Sequence, residues 1–273
     1  MSTNISNFAH VAVERLFAKG ITYSTVIDVG CADGHFFLNL MKFFPDAVPL
    51  HVDANRLYET SLKAIKEAIG GDYFIGAVTD HVGEIEITES AHPYWSSIRP
   101  EGDIYWSRIN SLVKNKSKIP ATTLDMLVDK LALKPPFLLK LDVQGAEESV
   151  LDGAPSVLRN THVVICEADI EDFQDINGAL VKAGFRLYDL TDLYRLGDGT
   201  LGWFYPIYVS NKLEGVCPRA FWDEKENDAV IGAQVARRGE ILRSNARDTK
   251  SSQIRSSATW PQRGVPVRFG PKI

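Results

Sequence analysis

Cysteine is scarce in this chain. There are three in 273 residues, Cys31, Cys166 and Cys217, far apart and odd in number. That pattern argues against a disulfide framework and against a cysteine-rich zinc site. Cys31 and Cys166 lie in apolar, strand-like contexts and read as small buried fillers. Also missing is any apolar run near the ~20 residues that span a bilayer. The opening MSTNISNFAHVAVERLF has no basic segment leading into an apolar one, so no secretory leader is expected. A reducing cytoplasm is the expected location. Positive charge is in deficit, with 30 Lys and Arg against 35 Asp and Glu and a net charge of −5. This removes the global electrostatic case for nucleic acid or an anionic membrane as partner. The histidines, His35, His51, His81, His92 and His162 among them, show no metal-ligand spacing. No repeat or low-complexity tract stands out.

What is present is an alternation of short apolar runs and helical patterns. An amphipathic helix is expected over residues 5–20. Strands follow at 25–29, 48–52 and 73–78, with helices at 34–44 and 57–69 between them. Such alternation points to βαβ units and a parallel sheet covered by helices. Residues 83–89, GEIEITE, alternate polar and apolar as a half-exposed antiparallel strand does. Residues 90–118 show no clear period and read as a long loop within an insertion at 83–118. A helix at 121–131, with Thr122 or Thr123 as N-cap, precedes strand 137–141, helix 147–158, strand 163–166 and helix 175–183. The last strands are expected at 185–190 and 206–209.

The composition then changes. Residues 214–273 hold 11 Lys and Arg against 7 Asp and Glu. A helix is expected over 224–242, and the Ser-, Arg- and Pro-rich remainder is expected to be poorly ordered on its own. The expected organisation is therefore an N-terminal helix at 1–20, a main domain at 21–213 and an extension at 214–273. Patchy apolar spacing in the extension suggests a homo-oligomer contact.

The stretch Ser24–Leu40, STVIDVGCADGHFFLNL, reads as a buried strand turning sharply into a helix. Gly30 and Gly34 allow a φ that other residues avoid, and the helix start favours negative charge. Asp28 is an anion in an apolar strand and needs a partner. Backbone N–H groups or a cationic ligand head group would serve. A dinucleotide fingerprint has a glycine at its middle position. Here that position is Ala32, and Asp33 adds an acid where a pyrophosphate would lie. Asp53 closes the next strand about twenty residues on, where a carboxylate accepts the hydroxyls of a ribose. An acid in the loop and an acid for ribose suit a positively charged nucleoside. S-adenosyl-L-methionine is such a ligand.

Four segments carry a resemblance to a known family: VIDVGCADGHFF (26–37), HVDAN (51–55), GAVTDHVGEIEI (76–87) followed by YWSSI (94–98), and IPATTLDMLV (119–128) followed by LLKLDVQGAEESVLDGA (138–154). Over roughly residues 20–212 the chain resembles the FkbM-type S-adenosylmethionine-dependent methyltransferases. The 138–154 block is the specific one. The resemblance implies a Rossmann-like α/β fold with a seven-stranded, mostly parallel sheet whose last strand is antiparallel. It implies that Asp28, Gly30 and Gly34 contact the methionine part of the cofactor, and Cys31 is a further expected cofactor-binding residue. Asp53 would hold the ribose, with Ala54, Asn55, Ala77 and Val78 around the adenine. Relatives commonly carry Asn at the position of Ala32 and often Glu at that of Gln144. Members typically methylate hydroxyls of sugars or polyketides, so the expected activity is O-methyl transfer to a saccharide or a glycosylated or polyketide natural product.

Ligands of open α/β sheets sit beyond the carboxyl ends of the strands. Asp142 closes the fourth strand, with Gln144, Glu147 and Glu148 after it, and Glu167 and Asp169 close the fifth. Asp142 and Glu147 are the expected acid–base residues, with Asp142 also beside the cofactor, and His92 is a further candidate base. Glu147 and Glu148 also fit as first-turn acids on a helix dipole, and Glu167 as a strand-end cap. Trp95, Ser96, Ser97, Arg99, Gln144 and Glu167 are the expected acceptor-binding residues, with Tyr94, Tyr105, Trp106, Tyr194, Arg195, Trp203 and Tyr205 as further candidates. Asp142, Glu167 and Asp169 offer oxygen ligands to a divalent metal, but none is expected. An NAD-linked oxidoreductase, a non-catalytic cofactor-binding scaffold and a nucleic-acid methyltransferase are the competing readings.

Overall fold

The computed structural model describes residues 8–91, 96–98 and 113–217, together with 232, 233, 235–237 and 240. The chain divides into two compact units, Met1–Pro218 and Arg219–Ile273. In the second unit the described residues are helical and fall within the expected 224–242 helix.

The first unit is a three-layered α/β structure. Its elements begin with α1 (Ala9–Ala18), β1 (Thr25–Val29), α2 (His35–Leu40), β2 (Val48–Asp53), α3 (Glu59–Ile69) and β3 (Asp72–Ile75). Then come β4 (Ala77–Val78), β5 (Gly83–Ser90), β6 (Val113–Thr122), α4 (Leu124–Lys130), β7 (Phe137–Leu141), α5 (Glu147–Asp152) and α6 (Pro155–Arg159). The chain continues through β8 (Thr161–Cys166), β9 (Ala168–Asp169), α7 (Phe173–Lys182), β10 (Phe185–Thr191) and β11 (Trp203–Ser210).

The main sheet runs in the order β10-β11-β8-β7-β1-β2-β3, and the two-residue β9 adds an eighth strand against β11. β3, β2, β1, β7 and β8 pair in parallel. β11 is antiparallel to both β8 and β10, so the last strand in sequence is the reversed one. β1 and β7 are buried at every position, because successive side chains enter opposite helical layers. Ile27, Leu139 and Val164 pack in the core that holds Leu124, Leu151 and Leu180 of α4, α5 and α7. Val26, Leu138 and Val163 enter the core formed with Leu16 of α1 and Phe37 of α2. In α1 the buried Ala9, Ala12, Val13 and Leu16 follow the i, i+3, i+4, i+7 spacing of one helical face.

Three elements differ from the sequence expectation. The strand expected at 73–78 is two strands. At Gly76 the chain leaves β2, and Ala77–Val78 pairs in parallel with β6. A Cβ at Gly76 would stand 2.6 Å from the Pro120 carbonyl oxygen, so only glycine makes that crossing. The expected loop at 90–118 contains the start of β6, which pairs antiparallel with β5 from Gly83 to Ser90 and forms a second, three-stranded sheet with β4. The helix expected at 147–158 is two helices, α5 and α6, because Gly153 and Pro155 interrupt it. Thr123 caps α4, its hydroxyl accepting the Met126 N–H. Among the described residues no helix is long and apolar enough to cross a membrane.

Candidate active site

The carboxyl ends of β1, β2, β7 and β8, roofed by Ile87 and residues 96–98 of the insertion, enclose a cavity of about 410 Å³. At one end stands Asp53. Its Oδ2 accepts the Ala32 N–H at 2.8 Å and its Oδ1 accepts the Asn55 N–H at 2.7 Å. Burial pushes its carboxyl up to about 6, although those two N–H donors pull the other way. Ala54, Asn55, Ala77 and Val78 line the same end, and Gly30, Cys31 and Ala32 line the floor. Ala32 holds a left-handed φ of 48°. Burial raises the Cys31 thiol well above its ordinary range, which removes it as a nucleophile.

At the other end Asp142 is the centre of a polar array. Lys140 Nζ lies 3.2 Å from its Oδ2, and the Tyr205 hydroxyl donates to the same oxygen at 2.8 Å. The Gln144 side-chain amide donates to Asp142 Oδ1 at 3.0 Å and to Glu167 Oε2 at 2.7 Å. The Tyr205 hydroxyl also lies 3.5 Å from Glu167 Oε1. Burial alone would raise the Asp142 carboxyl, but Lys140, with hydrogen bonds from Glu167 and Tyr205, holds it below its ordinary value. Glu167 goes the other way. Burial, then the charges of Asp142 and Glu147, hold it well above the usual carboxylate range. The two members of this buried pair are thus pushed in opposite directions, Asp142 toward the ionised form and Glu167 toward the protonated one.

Lys140 is the residue that the sequence reading passed over. It is 7% exposed in a fully buried strand, which was itself the signal, because a lysine is rarely buried without partners. Its ammonium lies 3.3 Å from Asp28 Oδ1 and donates to the Gly30 carbonyl at 3.4 Å. Burial would lower its affinity for the proton, but Asp142 and Asp28 outweigh that and raise it. Within the chain the charge facing Asp28 is that of Lys140, and neither Asp28 oxygen accepts a hydrogen bond from the loop N–H groups. Lys140, Phe36 and Tyr205 also line a second cavity of about 220 Å³, on the side of Ala9, His10 and Asp192.

The other expected site residues fall into three groups. Ser96, Ser97, Gln144 and Glu167 line the main cavity. Ser97 is 2% exposed, and its hydroxyl donates to the Gln144 carbonyl at 2.8 Å, so it fastens the insertion to the β7–α5 turn. Asp28, Gly34 and Glu147 do not line the cavity. Gly34 turns toward α3 and β2, where a Cβ would stand 2.6 Å from Ile65 Cδ1 and 3.2 Å from His51 Nε2. Glu147 is buried and accepts the Val143 N–H at 2.9 Å, which braces the turn that carries Gln144. His92, Trp95 and Arg99, with Tyr94, Tyr105 and Trp106, lie outside the described residues. Of the later aromatic candidates, Tyr205 reaches the cavity, whereas Tyr194 and Trp203 stack on one another at 3.7 Å away from it. Asp169 accepts the N–H groups of Glu171 and Asp172. Among the described residues no cluster of three or more His, Cys, Asp or Glu is arranged to hold a metal.

Comparison with known proteins gives one family and a set of distant structures. No curated protein matches the chain. Solved structures that resemble it include precorrin-6y C5,15-methyltransferase from Geobacter metallireducens GS-15, at 12% identity over 76% of this chain and 90% of that one, with a TM-score of 0.39. An S-adenosylmethionine-dependent methyltransferase from Clostridium acetobutylicum ATCC 824 matches at 9% identity over 74% and 90%, with a TM-score of 0.41. Ribosomal protein L11 methylase from Lactobacillus delbrueckii subsp. bulgaricus matches at 17% identity over 74% and 76%, with a TM-score of 0.36. The Methyltransferase FkbM domain matches residues 28–187, from Asp28 in β1 through Asp53, Asp142 and Glu167 to β10. The chain belongs to the FkbM family of S-adenosylmethionine-dependent methyltransferases.

Proposed function

We propose that this protein transfers a methyl group from S-adenosylmethionine to a hydroxyl of a small neutral acceptor, a saccharide or a glycosylated or polyketide natural product. The observation that carries the reading is the pair of ends of one cavity. Asp53 stands at one with lone pairs beyond its two N–H bonds, and ionised Asp142 stands at the other. That donor set fits the cofactor: a ribose edge meets a carboxylate, and a cationic centre meets an anion in place of a phosphate cradle. Asp53 would hold the ribose hydroxyls, and Ala54, Asn55, Ala77 and Val78 would border the base. Bound S-adenosylmethionine supplies a methyl group on a positively charged sulfur, an electrophile strong enough that positioning carries much of the rate.

The chain's own residues do the rest. Asp142 accepts a hydrogen bond from the acceptor hydroxyl and aims its lone pair. As the C–O bond forms, that proton becomes strongly acidic, so a weak base held in place suffices. Asp142 takes the proton at a carboxylate oxygen. Gln144 and Tyr205 hold the carboxylate still, and neutral Glu167 adds no second charge to repel it. Ile87, Ser96, Ser97 and Ile98 line the cavity from the insertion side. The negative array disfavours a carboxylate acceptor, which favours a neutral alcohol.

The test is turnover of labelled S-adenosylmethionine with a panel of methyl hexopyranosides and macrolide glycosides. Methylated product that disappears in Asp142→Asn supports the reading. Methylation confined to amines, carboxylates or nucleic acid would overturn it.

A further inference from the structure

We propose that Lys140 is a positioning residue of this site: its ammonium places the single proton of the Asp142–Glu167 pair on Glu167, so that Asp142 faces the cavity as the anion. Three geometric facts carry this. First, the two carboxyl groups are held together by donors that touch both, the Gln144 amide and the Tyr205 hydroxyl. Two like charges so tied share a proton rather than both ionising. Second, the Gln144 amide reaches both members, whereas the Tyr205 hydroxyl, 2.8 Å from Asp142 and 3.5 Å from Glu167, acts alongside the lysine in favouring an anionic Asp142. Third, the ammonium touches only one side. Lys140 Nζ is 3.2 Å from Asp142, and its other oxygen neighbours are Asp28 and the Gly30 carbonyl, on β1 and the loop after it.

The charges that face the pair come from every surrounding element. Asp28 stands on β1, Lys140 on β7, Glu147 on α5, Cys166 at the end of β8 and Tyr205 on β11. Asp53 on β2 lies near enough to Lys140 to feel it. Among these described groups the lysine is the one cation. It sits 3.2 Å from Asp142 and 3.3 Å from Asp28, and its weaker pull on Glu167 does not offset burial and the Asp142 charge there. Glu167 therefore remains neutral behind an anionic Asp142. The low titration of Asp142 and the high one of Glu167 agree with that placement.

The arrangement has a consequence for the chemistry, which rests on the proposed methyl-transfer reading. With the proton on Glu167, the group nearest the acceptor hydroxyl is a hydrogen-bond acceptor. With the proton on Asp142, it would be a donor and would turn that hydroxyl the wrong way.

The proton placement is read directly, without an acceptor, by carbon-13 titration of the full chain labelled at the Asp and Glu side-chain carboxyl carbons. Asp142→Asn and Glu167→Gln identify the two signals. In the unsubstituted chain the Glu167 carbon is expected to stay protonated at pH 7 and the Asp142 carbon to stay ionised. In Lys140→Met the Asp142 titration is expected to move up, and in Lys140→Arg to remain low. An Asp142 titration unchanged in Lys140→Met would overturn the proposal, as would a Glu167 found ionised at pH 7 in the unsubstituted chain. Should Lys140→Met not fold, the charge-balanced pair Asp28→Asn with Lys140→Gln replaces it, with the same expected rise and the same overturning result. S-adenosylhomocysteine titrated into the same samples separates the two readings. Failure to bind the unsubstituted chain counts against the cofactor site alone, and failure of the carbon titration counts against Lys140 alone.

Discussion

A Cβ on residue 30 would overlap the backbone carbonyl oxygen of Asp142. The loop after β1 and the end of β7 are that close, and Gly30 has a φ of 74° besides. This contact sets the cavity floor against the Asp142 array. Gly30→Ala is expected to cost about 2–4 kcal/mol of stability, from overlap and backbone strain together. Urea denaturation measures it. A loss under about 0.5 kcal/mol would show that the loop can move away from β7.

Ala32 occupies the left-handed region at a φ of 48° while its N–H serves Asp53. Asparagine enters that region more readily than alanine. Ala32→Asn is expected to stabilise the protein by about 0.5–1 kcal/mol and to leave cofactor affinity unimpaired. Thermal unfolding with and without S-adenosylhomocysteine measures both.

Asp53 gives a pH dependence. Its folded carboxyl is raised to about 6, so the folded chain binds more protons than the unfolded one between the ordinary carboxylate range and pH 6. The Asp53 contribution is therefore most favourable at low pH and is lost as pH rises through about 6. Asp53→Asn is expected to flatten that slope in the unliganded protein. Ribose hydroxyls favour the ionised form, so S-adenosylhomocysteine affinity is expected to rise with pH through the same window and then level off. Calorimetry at several pH values tests this, and a pH-independent affinity would remove Asp53 from the ribose site.

Glu147 braces the turn between β7 and α5. Its carboxylate accepts the Val143 N–H inside the β7–α5 turn. Glu147→Ala is expected to cost about 1–3 kcal/mol, the penalty of a buried donor left unpaired. S-adenosylhomocysteine affinity of the folded fraction should change by less than about threefold, which is under ~0.7 kcal/mol. A large affinity loss with no stability loss would place Glu147 at the ligand instead.

The parts of the fold legible in the sequence were those whose signal is local. β1 and β7 are unbroken apolar runs, and their bounds, Thr25–Val29 and Phe137–Leu141, match the expected ones. Asp53 was legible from its distance after the glycine loop. β6 was not, because Val113–Thr122 is polar and pairs with a strand more than twenty residues earlier. Its alternating Lys114, Lys116 and Lys118 were a period-two signal that the flanking irregular residues obscured. The break of β3 and β4 depends on Gly76 meeting Pro120, which no local pattern carries. At the site, Asp142 and Glu167 were legible as strand-end acids. Their division into an anion and an acid was not, because it depends on Lys140 and Tyr205 arriving from β7 and β11. The same contacts gave Asp28 a partner from within the chain.

The proposed cofactor site holds S-adenosylmethionine through Asp53. Calorimetric titration of the full chain with S-adenosylhomocysteine and, separately, with NAD tests it most directly. One S-adenosylhomocysteine bound per chain is expected, with at least about tenfold weaker binding in Asp53→Ala, or ~1.4 kcal/mol, and no heat with NAD. Binding of NAD without S-adenosylhomocysteine, or S-adenosylhomocysteine affinity unchanged in Asp53→Ala, would contradict it.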